Sequence, residues 1–234
     1  MSEEKLNEEQ ITQLYIEAAK RPDYFAAEYL IRTALSAKIP ADYISMKQGE
    51  VKPRLDPKWG ADPKVDEVLS RIYNPKDDWA RTRRVIIIDG GSKPNREAVG
   101  YACLYRSIVS NAPFQISSAF AISVTDLVLE FQRFSKNDDG RFSTLDRLLK
   151  IQCLLLREMD EKIQVNERKG GTMFLESLFD SRQTMDRPTI ITMTEEKDKF
   201  NTGHWGRTFQ SLVAAKEIED EDVKVWHLRC QGNG

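Results

Sequence analysis

The residues with the clearest chemical layout are Gly90, Gly91, Lys93, Asn95, Arg96 and Glu97. They follow the apolar run Val85-Ile86-Ile87-Ile88 and precede a segment of helical spacing. Strand, polar glycine loop and helix in this order make a phosphate-binding loop. There, G-x-x-x-x-G-K-[ST] wraps backbone N–H groups and a lysine around phosphates and sets a hydroxyl on Mg²⁺. Counted from Gly90, the second glycine falls on Asn95, the lysine on Arg96 and the hydroxyl on Glu97. A carboxylate at that last place turns negative charge toward the phosphates. Gly90 to Lys93 still offers N–H groups at a helix N-terminus, which favours an anion whatever the motif, and Lys93 or Arg96 can meet one. Against this, Pro94 lacks a donor, and Glu97 is expected to open the helix, where the dipole favours the protein's own carboxylate. The preferred reading is a strand-to-helix turn that folds without ligand. Residual nucleotide binding stays open beside it.

Other enzyme chemistry finds little support. The two histidines, His204 and His227, have no metal-ligand neighbours in sequence, and no Gly-x-Ser-x-Gly turn occurs. Asp138-Asp139 and the run Glu217 to Asp222 read as solvated faces rather than acid/base pairs. Cys103, Cys153 and Cys230 lie far apart in apolar surroundings without CxxC or Cys/His spacing, so buried thiols are expected and a metal site is not. With 35 basic and 37 acidic residues the formal charge is −2, too small to draw the whole chain to nucleic acid.

The elements that position these residues follow from length and periodicity. A chain of 234 residues with 40% hydrophobic content can bury one substantial core and a small appendage. It has no run of 18 or more apolar residues, and Met1-Ser2-Glu3-Glu4-Lys5 is too charged for a signal peptide. No membrane association and a cytoplasmic location are expected. Residues 1–37 read as a small N-terminal helical region: one helix carries Ile11, Leu14, Tyr15 and Ala18, ends at Pro22, and is followed by a second over Tyr24–Ala37. Residues 38–63 carry Pro40, Pro53, Pro57 and Pro63 with Gly49 and Gly60, a linker composition. Lys47, Lys52, Arg54 and Lys58 beside Tyr43 and Trp59 could follow a nucleic-acid backbone, although a solvated charged loop is the preferred reading. Residues 64–234 form the main domain. Helices are expected over Pro63–Tyr73 and Glu97–Val109, after Thr125 or Asp126 as cap, over Phe142–Lys150 past a 135–140 loop, and over Gly171–Thr184. Strands are expected at Val85–Ile88, Phe120–Val124, Ile151–Leu156, Pro188–Thr194 and Lys224–Arg229. Alternation at this spacing predicts a three-layer α/β domain with a mostly parallel sheet.

The order and content of these segments resemble the AAA+ ATPase domain of bacterial and phage replicative-helicase loaders and related transposition helper ATPases. Four places carry the resemblance. Lys38-Ile39-Pro40-Ala41-Asp42-Tyr43 is similar to the Ile-Pro-x-x-Tyr/Phe element that precedes that domain. Val85–Ala102 takes the Walker A place, and Cys153-Leu154-Leu155-Leu156-Arg157-Glu158 the Walker B place. Phe179 to Thr192 leads to the sensor 1 position. The resemblance implies an AAA+/P-loop-like fold, and it also exposes departures. In an active member the Walker B strand ends in Asp-Glu, for Mg²⁺ and for the attacking water. Here Arg157 stands in the Asp position and only Glu158 remains. Sensor 1 falls on Thr194, and Gly206-Arg207 resembles the arginine-finger stretch.

Walker A and Walker B are thus degenerate together, which implies a protein that is not an enzyme, with no cofactor and no metal. Its implied role is that of a silent loader or loader-like accessory factor in DNA replication. Its partners would be the replicative helicase or another replication protein, with single-stranded DNA as a further candidate through Arg133, Lys136 and Arg141 around the 135–140 loop. Arg207 as a finger for an active neighbour, or as an ordinary ion pair, is the accompanying choice. Two other readings remain: an interaction or antagonist protein on the same fold that touches no DNA, and a divergent working ATPase.

Overall fold

Val85–Ile88 forms an interior strand of a parallel sheet, extended by one residue to Asp89. A computed structural model describes residues 8–20, 24–44, 47–55, 57, 63–74, 85–111, 118–133, 138–159, 171–194, 210 and 225–230. Among these residues five strands, β1 (Val85–Asp89), β2 (Ala119–Ser123), β3 (Cys153–Arg157), β4 (Thr189–Met193) and β5 (Val225–Arg229), lie in the order β2-β3-β4-β1-β5. Every pairing is parallel. A parallel sheet needs cover on both faces, and its strands here are mostly apolar, with all five residues of β1 and of β4 buried.

The helices are α1 (Glu8–Ala19), α2 (Tyr24–Ser36), the short α3 (Gln48–Val51), α4 (Pro63–Tyr73), α5 (Lys93–Asn111), α6 (Val124–Arg133), α7 (Asp138–Lys150) and α8 (Gly171–Thr184). Side chains alternate across each strand and so divide the core in two. Ile86, Ile88, Leu155, Ile190 and Leu228 join residues of α1, α2, α4 and α5. Val85, Ile87, Leu154, Leu156 and Ile191 join residues of α6, α7 and α8. The result is the expected three-layer α/β architecture. Helix α5 crosses the sheet closely: a Cβ at Gly100 would lie 3.2 Å from Thr192 Cγ2.

Several local expectations are corrected. Helix α5 begins at Lys93, not Glu97, because Pro94 falls in the first turn, where a missing N–H breaks no intrahelical bond. Glu97 therefore lies a turn inside the helix. Ser123 precedes α6 and caps it: its Oγ accepts from the Asp126 N–H at 3.0 Å and donates to Asp126 Oδ2 at 2.6 Å. Asp138-Asp139-Gly140, expected in a loop, belong to the start of α7, where the acids suit the dipole. The stretch read as a linker is packed between residues 39 and 55. It forms two 3₁₀ turns, Ala41–Tyr43 and Lys52–Arg54, around α3. Ile39, Ala41, Ile44, Val51 and Leu55 are buried, and Lys52 reaches Asp66 of α4 at 2.9 Å. Lys58 and Trp59 lie outside the described residues.

A buried arginine with no role in the sequence reading fastens the lower edge of the sheet. Arg182, on the apolar stripe of α8, is 1% exposed. Its Nε donates to Thr189 Oγ1 at 2.9 Å, Nη1 to the carbonyls of Leu148 (2.7 Å) and Ile151 (2.8 Å), and Nη2 to those of Gln152 (3.3 Å) and Pro188 (2.7 Å). One side chain thereby joins α8, the end of α7 and the starts of β3 and β4. Two of the acceptors sit at the C-terminal end of α7, where a cation is favoured. Burial pushes its pKa down to about 10, so it stays charged at neutral pH.

The three thiols are buried, as expected, and burial raises the pKa of each. A raised folded-state pKa contributes stability that is present below the unfolded thiol's pKa and lost as pH rises above it. Stability is therefore expected to fall above about pH 8.5, by about 1.4 kcal/mol per pH unit for each thiol that ionises only on unfolding. Urea midpoints between pH 7 and 10 check this, and native thiols should label far more slowly than unfolded ones. Rapid native labelling would contradict it.

Candidate functional site

Because β3, β4 and β1 are neighbours in a parallel sheet, their C-terminal ends bring the loops after Arg157, Met193 and Asp89 together. That edge is where open α/β sheets hold ligands. Gly90 and Gly91 leave β1 with φ of 69° and 66°, a region open to glycine at little cost. A Cβ at Gly91 would lie 2.9 Å from the Cys230 carbonyl oxygen. Cys230 in turn donates its N–H to the Asp89 carbonyl at 2.8 Å, so the chain after β5 fixes the turn.

The turn presents its carbonyls, not its N–H groups, to a cation of the protein itself. Arg96 Nη1 donates to Gly90 O at 3.2 Å and to Gly91 O at 2.5 Å. Its Nη2 donates to Glu158 Oε2 at 3.1 Å and to Thr194 Oγ1 at 3.2 Å. The Arg96 and Glu158 side chains are 3% and 6% exposed, so this ion pair is desolvated. Thr194 also donates to Glu158 Oε2 at 3.4 Å. Glu158 has a φ of 55°, a conformation that costs a non-glycine residue about 1 kcal/mol or more. Thr192 holds it there: its Oγ1 accepts from the Glu158 N–H at 2.9 Å, and its carbonyl accepts from the Met159 N–H at 2.8 Å.

A second pair stands alongside. Arg157 Nη1 is 3.2 Å from Glu97 Oε1, with the side chains 26% and 23% exposed. Glu97 thus answers Arg157 rather than the helix terminus, which corrects the expectation for that residue. Of the remaining loop residues, Asn95 is buried and Lys93 exposed. Below them Asp89, fully buried at the end of β1, lies 2.8 Å through Oδ2 from Nε2 of His227 on β5. Neither Asp89 nor this use of His227 was visible as part of the site in sequence.

The other candidates are placed by backbone alone or not at all. Arg133 ends α6 and Arg141 lies in the opening turn of α7, so the two flank residues 134–137, which contain Lys136 and lie outside the described residues. Arg207 and His204 also lie outside them.

The fit of a Mg²⁺-nucleotide to this edge is poor on three counts. The guanidinium of Arg96 fills the inside of the loop after β1, the loop carbonyls converge on it, and Arg157, at the place where the resemblance would set a metal ligand, is engaged with Glu97. A phosphate cradle requires converging N–H groups, and a hard cation requires oxygen ligands. Among the described residues, no group of three or more His, Cys, Asp or Glu is placed to hold a metal ion, and no helix is long and apolar enough to cross a membrane. A scan against protein-family models finds no match for this chain, and a search among curated proteins finds none either.

Proposed function

We propose that this chain is a catalytically silent AAA+-like protein of DNA replication, a helicase loader or loader-like accessory factor. It acts by binding the replicative helicase and contacts single-stranded DNA through the α6–α7 connection. The observation that carries the silent half is the pair of internal ion pairs, Arg96–Glu158 and Glu97–Arg157, at the phosphate and metal positions. Hydrolysis would need Glu158 free to orient a water, whereas its carboxylate is engaged by Arg96 and Thr194. The replication half rests on the resemblance of the segments and on the packed Ile39-Pro40-Ala41-Asp42-Tyr43 element that joins the N-terminal helices to α5.

Calorimetry with Mg-ATP should give no binding heat, and the purified protein should carry no nucleotide. Micromolar binding would return the chain to the ATPases. The net charge of −2 favours one second reading, a protein that binds the helicase but no DNA. Purified replicative helicase from the source cell should be retained by the chain under either reading. Salt-dependent binding of a fluorescent single strand separates them.

A further inference from the structure

The filled site is connected to the N-terminal helices by a continuous row of side chains. Beginning at the Glu97–Arg157 pair, the Arg157 guanidinium lies 5.7 Å from the centroid of the Tyr101 ring. Tyr101, on α5, meets Tyr43 with ring centroids 5.0 Å apart and planes inclined at 33°. Arg54 lies 5.4 Å from the Tyr43 centroid and pairs with Asp42 at 3.2 Å. Asp42 then accepts from Gln10 of α1. The turn that carries Asp42 and Tyr43 packs between α1 and α5.

Each contact is modest by itself. A cation over a tyrosine face contributes about 0.5–1 kcal/mol at exposed sites, and an aromatic pair about the same beyond its burial. Their arrangement matters more than their sum. Tyr101 is 4% exposed and stands between two other members, so it cannot move without disturbing both. Each end of the row is an ion pair, Glu97 with Arg157 and Asp42 with Arg54, and the two cations face the aromatic rings between them. Glu97 acts electrostatically as far as Tyr43, whose phenol is raised by burial first and by Glu97 second.

We propose that Glu97, Arg157, Tyr101, Tyr43, Arg54 and Asp42 form a latch through which the state of the filled site sets how firmly residues 41–55 and α1 are held. The Glu97–Arg157 pair is its fixed end, and α1 is the end that yields. Coupling between linked sites is reciprocal: a ligand drawn to α1 loosens or tightens the pair, and loss of the pair loosens α1. This depends only on the geometry of the row, and neither the replication assignment nor nucleotide binding enters it.

Amide hydrogen exchange on the full chain, read by mass spectrometry, tests the latch. Arg157→Gln should speed exchange in residues 41–55 and in α1 by about five- to tenfold, within the usual range of coupling between sites, and leave α8 unchanged. Arg54→Gln should in turn speed exchange in residues 96–101. Both altered residues are part-exposed, so the fold should survive, and a urea midpoint on each variant checks that it has. A titration of Tyr43 followed by NMR of ¹³Cζ-labelled tyrosine gives an electrostatic readout, with the Tyr43 midpoint expected to fall in Glu97→Gln. If Arg157→Gln affects only residues near 90–97 and 157–159, or Arg54→Gln only residues near 41–55, the row is a set of separate contacts and the latch is wrong.

Discussion

Glu158→Leu is expected to destabilise the fold by about 3 kcal/mol, and Arg96→Met by a similar amount, because each leaves a desolvated charge without its partner. The double variant Arg96→Met with Glu158→Leu should recover most of that loss, since removing both charges from a buried pair and refilling the volume with apolar side chains is close to neutral. Arginine truncation leaves Glu158 with Thr194. Glutamate truncation leaves Arg96 with the Gly90 and Gly91 carbonyls and Thr194. The Arg96 single should therefore be the worse of the two. Urea unfolding of the four proteins measures the coupling directly. If the double costs the sum of the singles, the two residues do not act as a desolvated pair, and the account of the site as held by an internal charge pair fails.

The second large effect belongs to Arg182. Arg182→Met should destabilise by about 4 kcal/mol or more, because a buried acceptor left unpaired costs about 1–3 kcal/mol and this change abandons four carbonyls and a hydroxyl. Arg182→Lys should fall between the two: an ammonium keeps the charge but has three donors for five acceptors and cannot reach a planar fork of partners. Equal stability of Arg182→Lys and the parent, measured by urea denaturation, would show that charge rather than the fork is what matters there.

Much of the fold could be read directly from periodicity. The bounds of α4 and α8 coincide with the expected segments, and the apolar runs mark the strands to within two residues. What escaped had physical causes. Prolines signal an end to regular structure but do not say whether the chain then leaves the core, and in residues 39–55 they accompany 3₁₀ turns while Ile39, Ala41, Ile44, Val51 and Leu55 stay buried. Pro94 and Asp138-Asp139 look like interruptions, yet both are favoured in the first turn of a helix.

In the site, the substitutions at 97 and 157 read singly as two losses. Their complementary signs were the available signal that they answer each other. Arg182 was detectable as a charge continuing the stripe Leu175, Leu178, Phe179 of α8. Its acceptors were not, because they are backbone groups on three other elements. The Asp89–His227 contact depends on β5 lying next to β1, a long-range fact that no local pattern carries.

The Glu97–Arg157 pair also bears on how this site can change over time. Placing a metal-binding carboxylate at position 157 would set it against Glu97, and placing a hydroxyl at position 97 would strand Arg157. Either single step is worse than the starting point, and the buried Arg96–Glu158 pair next to it has the same property. A phosphate at this loop would need paired substitutions, because the Gly90 and Gly91 carbonyls already meet Arg96. By single steps, then, the two pairs hold each other in place: either member can be exchanged only together with its partner.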